Sequence, residues 1–251
     1  MSTDTGAPSA PATDSEPSGD EPARPPRRRG VTFWVGILLV LSGLGMLGYV
    51  AWEMWGTTLV SKQTQQRLVE ELDEEWSVAP GSTLEQAEPE VPLGEGIALI
   101  RIPAFGDDYV VPVLHGIGDD ELSSGYGHFP ESAMPGERGN FALAAHRITH
   151  GEPLRDMPKL QPGDEVIVET RDAVYTYELL TDPNDLVVTF EDVWVVDPLP
   201  RNPRGGVQPP QERGQKLITL TTCSELFHTD NRMISFGRLV DTEPKAAGTA
   251  G

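Results

Sequence analysis

Apolar residues along this chain fall into two regimes. Residues 31–52, "VTFWVGILLVLSGLGMLGYVAW", carry no charged side chain at all. A helix of that length, at about 1.5 Å per residue, reaches about 33 Å, enough to cross a hydrocarbon core of about 30 Å. From residue 96 onward the apolar positions instead alternate, or run in short bursts bounded by Gly, Pro, Asn and Asp. Such segments at 96–102, 109–114, 140–146, 165–170, 174–180, 185–190, 216–223 and 232–240 predict eight strands. The turn-like "QPGDEV" and "TRDAVY" make 165–180 a hairpin. Short helical pieces fit around 119–123 and 153–157. Eight short strands within about 145 residues predict an all-β module, a closed barrel or a sandwich.

The remaining segments set the domain plan. Residues 1–30 are Pro, Ser, Ala, Gly, Asp and Glu with almost nothing to bury, and they read as a disordered tail. Residues 31–52 are a single transmembrane anchor. A cleaved signal peptide would have a shorter apolar region of about 7–15 residues and a small-residue cleavage site; this span runs into "YVAWEMWG" instead. Residues 53–95 form a stalk and linker. Leu59, Leu68, Val69 and Leu72 draw a sparse helical stripe through 57–76, and a Pro/Gly/Glu-rich stretch follows. The folded module occupies 96–241, and 242–251 is a loose tail. Arg24, Arg27, Arg28 and Arg29 precede the span and Glu53 follows it, so the N-terminus is expected in the cytoplasm and the module outside the cell membrane. A formal net charge of −20 leaves no basic footprint for nucleic acid and reads as a solvated surface.

Candidate chemistry centres on Cys223, the one cysteine in the chain. An exported domain tends to pair its cysteines or lose them, so a leftover thiol is buried and inert, intermolecular, or reactive. A lone cysteine is commonly a small buried hydrophobe. In "KLITLTTC", however, it falls at the polar exit of a strand, where a side chain can face a cleft. A reactive thiol needs a base or a cation beside it. Of the five histidines, His146 closes another apolar segment, "NFALAAH", so the two groups can meet at adjacent strand ends. His150 and His228 read as solvated loop residues, and His115 and His128 as turn caps. Arg232 opens the strand after Cys223; antiparallel pairing would bring its guanidinium to the same mouth, as a donor to an oxyanion or carbonyl. One cysteine with scattered histidines lacks the paired spacing of a zinc site, and no Gly-rich phosphate loop follows a strand. No metal and no cofactor are therefore expected. The Pro-, Arg- and Gly-rich stretch 193–214 reads as a long loop that shapes a groove beside the thiol.

"GHFPESAMPGERGNFALAAHR" (127–147), "LQPGDEVIVET" (160–170) and "TLTTC" (219–223) with the downstream Arg232 give 97–240 a resemblance to the sortases, cysteine transpeptidases of Gram-positive surfaces. "TLTTC", the "HGEPLRDMPKLQPGD" connection and the N-terminal anchor look most like the class E sortases of actinobacteria; Ala145 stands where relatives usually have Gly. The resemblance implies an eight-stranded closed β-barrel and a triad of His146, Cys223 and Arg232. It implies that Cys223 attacks the Thr–Gly bond of an LAxTG- or LPxTG-like sorting signal in a surface protein. A peptidoglycan-precursor amine or a pilin lysine would then release the thioacyl-enzyme. Thr222, beside the nucleophile, would contact substrate or serve only strand packing. A thiol protease with water as acceptor and a non-catalytic surface scaffold are the alternatives. Some sortases use calcium, but no ligand cluster here invites it.

Overall fold

Nine strands form among the described residues, and all eight apolar segments contribute one. The computed structural model describes residues 30–52, 56–77, 91–225 and 230–245. The strands are β1 (Gly96–Arg101), β2 (Val111–His115), β3 (Tyr126–His128), β4 (Gly139–Ala144), β5 (Glu165–Glu169), β6 (Ala173–Leu179), β7 (Val187–Thr189), β8 (Lys216–Cys223) and β9 (Asn231–Pro244). They pair in the order β6-β5-β1-β2-β3-β4-β8-β9, and β9 pairs back onto β6. This closes an eight-stranded barrel and removes its free edges. The pairs β2–β3 and β4–β8 are parallel and the rest antiparallel.

Barrel membership differs from the expected set in one respect. The short β3, "YGH", is a barrel strand that the apolar pattern does not reveal. It exists because its backbone bridges β2 and β4. The expected strand at 185–190 shrinks to β7, which pairs with Asn231–Met233 of β9 outside the closure. β9 also runs past the expected module end. Thr242, Glu243 and Pro244 pair with Tyr175, Val174 and Ala173, although none of the three is an apolar strand former. Lys245, just beyond, binds Glu169 at 2.6 Å and lies 5.0 Å from the Trp76 ring centroid. Backbone pairing holds these positions, and a hydropathy pattern cannot register it.

Both faces of the central strands are covered. Phe141, Leu143, Ile218, Leu220, Tyr126 and Tyr177 fill the barrel core. On the outer face of β8 and β9, Leu186, Val188, Trp194, Val195, Ile234 and Phe236 form a second cluster. Asn140 fixes that outer layer. It is fully buried, and its amide donates to the carbonyls of Val195 and Asp197 at 3.1 Å each, while Thr219 Oγ1 donates to Asn140 Oδ1 at 2.8 Å.

Three α-helices form among the described residues. α1 (Val31–Ala51) is uncharged and long enough to span a membrane; its apolar side chains are exposed along its length. α2 (Thr57–Ser77) packs against β1 and β2, burying Ser61, Gln65 and Leu72. Of the stripe expected to mark a stalk, Leu72 is the residue that becomes buried, and two polar neighbours are buried with it. The short α3 (Asp119–Ser124) follows β2 where a helical piece was expected. The other expected piece, around 153–157, is a 3₁₀ turn displaced to Met157–Lys159.

Candidate active site

Side-chain parity places the three candidate residues on one face. In a strand, residues two apart share a face. On β8, Ile218 and Leu220 point into the barrel core, so Thr219, Thr221 and Cys223 point outward. On β9, Ile234 and Phe236 join the outer cluster, and Arg232 has their parity. On β4, Phe141 and Leu143 point inward, and His146 shares the parity of the outward Asn140.

Register then sets them in a row. Cys223 pairs directly with Arg232 across β8 and β9. β4 and β8 are parallel with Ala144 opposite Thr221, and the ladder continues one step as Ala145 N–H donates to Thr221 O at 3.1 Å. Two residues further on, His146 stands level with Cys223. Adjacent strands lie about 4.8 Å apart, so the thiol on β8, the guanidinium on β9 and the histidine just past β4 gather at one sheet end. β4 itself stops at Ala144, so His146 lies just past the strand the sequence would have it close.

Side-chain hydrogen bonds help to hold this end together. Thr222 Oγ1 donates to Ala145 O at 2.7 Å, joining the residue before the cysteine to the residue before the histidine. Arg147 Nη1 donates to Ser224 O at 3.0 Å, joining the residues that follow them. Arg232 Nη1 donates to Asn231 O at 3.0 Å, which fixes one arm of the fork. Cys223, His146 and Arg232 are all half-buried.

These side chains line one cavity of about 340 Å³. Its lining is largely apolar and includes Ile117, Leu122, Val188, Phe190, Val193 and Val196. The stretch read as a groove-shaping loop supplies the last two, from a 3₁₀ turn at Val193–Val196. Burial lowers the pKa of His146 from 6.5 to about 4, helped by His150 and Arg232 and opposed by Asp119. The resting imidazole is therefore neutral at pH 7 and able to accept a proton from a thiol. The arrangement can present a sulfur nucleophile, a proton acceptor that becomes a donor, and a fixed cation at one carbonyl.

The other histidines divide. His115 and His128, expected as turn caps, form a buried pair with their Nδ1 atoms 3.0 Å apart. His150, expected as a solvated loop residue, stacks on His146 with ring centroids 4.6 Å apart. Nothing in the spacing of the sequence signals that stack. His228 lies outside the described residues.

A family model described as "Sortase domain" matches residues 100–240, more than half of the chain. Sortase SrtE1 of Streptomyces coelicolor is 35% identical, over 96% of this chain and 67% of the relative. Among solved structures, sortase E from Streptomyces avermitilis is similar with a TM-score of 0.54 and 38% identity, covering 61% of this chain and 93% of that one. Sortase E1 from Streptomyces coelicolor, solved with a tripeptide in the active site, has a TM-score of 0.50 and 37% identity, covering 60% and 91%. Fold, cavity and sequence agree: the chain belongs to the sortase family of cysteine transpeptidases, which act on sorting signals, and it has class E sortases among its relatives.

Proposed function

We propose that Cys223 is the nucleophile, His146 the proton carrier and Arg232 the oxyanion partner of a transpeptidation at the Thr–Gly bond of an LAxTG-like signal. The observation that carries this reading is that His146, just past β4, lines a single cavity together with Cys223 and Arg232, which pair across β8 and β9. The apolar walls suit the small aliphatic side chains at the start of such a signal, laid in extended form. The tripeptide bound by the Streptomyces coelicolor relative supports a peptide in this place.

The chemistry follows from the groups. As Cys223 Sγ adds to the threonine carbonyl carbon, its proton passes to the neutral His146. The carbonyl oxygen gains negative charge, and the Arg232 guanidinium donates to it; this group stays charged throughout. The tetrahedral adduct collapses with loss of the glycine amine. His146, now an imidazolium made more acidic by burial, protonates that leaving nitrogen. A thioester remains on Cys223. An incoming amine, from a peptidoglycan precursor or a pilin lysine, attacks it and restores the free thiol as the new amide forms. Thr222 acts as a strap through its bond to Ala145 O, keeping β8 and β4 level. The α1 span anchors the enzyme with its N-terminus in the cytoplasm and the barrel outside.

The test is the full-length protein with an LAxTG peptide and an amine acceptor. Cys223→Ala should retain the fold and lose product formation entirely. Turnover by that variant would remove Cys223 from the mechanism.

A further inference from the structure

The loop after β4 contains three consecutive left-handed residues: His150 at φ 52°, Gly151 at φ 81° and Glu152 at φ 55°. Left-handed backbone is unfavourable for His and Glu, and it persists where surroundings over-determine it. Here the surroundings are a helix on one side and His146 on the other. From α2, Gln65 reaches in, almost fully buried, and its Nε2 lies 3.4 Å from His150 O, which accepts from it. The fit is close: a Cβ on Gly151 would stand 2.5 Å from Gln65 Nε2. At its ends the loop is tied by Glu152 N–H to Thr149 O and Leu154 N–H to His146 O, both at 3.0 Å. The outcome is that the His150 ring lies over the His146 ring, 4.6 Å between centroids and 30° between planes. Nδ1 of His150 is buried with no hydrogen-bond partner among the described residues, so a polar interaction of that nitrogen does not account for the placement.

We propose that His150 is a positioning residue for His146, and that α2 holds it in place through Gln65. The stacked ring covers one face of the imidazole. It limits rotation out of line with Cys223 and keeps water off that face. Because α2 lies between the apolar span and the module in sequence, the helix that follows the anchor helps to set the reactive histidine.

This rests on the reading of His146 as the proton carrier, and direct titration of the His146 imidazole by NMR keeps the two separable. The charged or titratable groups that bear on His146 are His150, Asp119 of α3 and Arg232 of β9. Thr149 Oγ1 lies 3.4 Å from its Nδ1. His150→Asn tolerates left-handed backbone but removes the ring; His150→Phe keeps a ring that can stack. In the full chain in detergent micelles, His150→Asn should raise the His146 pKa. It should lower kcat by about tenfold to 10²-fold with a smaller change in KM, as expected of a misplaced catalytic group. His150→Phe should recover most of kcat. Gln65→Ala should move the His146 titration in the same direction by less. An unmoved His146 titration in His150→Asn overturns the proposal, whether or not His146 proves catalytic. An unmoved titration in Gln65→Ala alone overturns the role of α2.

Discussion

His146 and His128 both have pKa values near 4, and in both the largest cause is burial. For His146 the expected NMR titration midpoint in the folded enzyme is about 4; a midpoint at or above 6.5 would contradict a neutral resting base. His128 shows the same physics in a structural role. Its Nε2 lies 3.1 Å from Ala133 O, which can only accept, so Nε2 carries the proton and Nδ1 accepts from His115 Nδ1–H. Protonating His128 would put two donors face to face. The sign of the pH effect follows: between about 4 and 6.5 the unfolded chain binds protons that the folded chain does not, so stability rises with pH there. As pH falls from 6.5 toward 4, each such histidine should cost up to about 3 kcal/mol, readable as a falling Tm. A Tm that holds or rises over that window would refute this assignment. Arg232→Lys keeps a cation but loses the planar fork, and should lower kcat by about 10²–10³ with less change in KM. Near-native kcat would make Arg232 a structural strand-end residue.

Strands and loops carry the next set of consequences. Asn140 couples β4 and β8 to the Val193–Val196 turn that walls the cavity. Asn140→Ala removes the amide donor to Asp197 O and leaves Thr219 Oγ1 and Val195 O with only the 3.2 Å bond between them, at a cost of about 1–3 kcal/mol. The expected outcome is a lower Tm and a peptide KM that rises more than kcat falls; an unchanged KM would detach this turn from substrate binding. The apolar pattern located every long strand, because each buries at least one alternating face. It missed β3, whose three residues carry little pattern. Of the eight expected segments, 185–190 alone falls outside the closure: its apolar residues pattern like a barrel strand, but β7 pairs only with the start of β9. The site was more legible than the barrel. "FALAAH" and "LITLTTC" show that histidine and cysteine end their segments, and the Arg232 spacing suggests a neighbouring strand. The stack of His150 on His146 was not legible, since it depends on left-handed backbone and on a helix far away in sequence.

On the scale of the whole molecule, an uncharged helix precedes a closed barrel that carries one thiol on its outer face. If the arginines before the span remain inside, protease added to intact protoplasts should digest the chain beyond the span and spare the N-terminal tail. A protected barrel would reverse the orientation. The central claim, covalent catalysis by Cys223, is tested most directly by intact-mass analysis of the full-length protein quenched with acid during turnover of an LAxTG peptide. An acyl adduct ending in threonine is expected, mapped to Cys223 and absent from Cys223→Ala. Adding an amine should discharge it with formation of the matching amide. Turnover with no adduct on Cys223, or an adduct that an amine does not discharge, would contradict it.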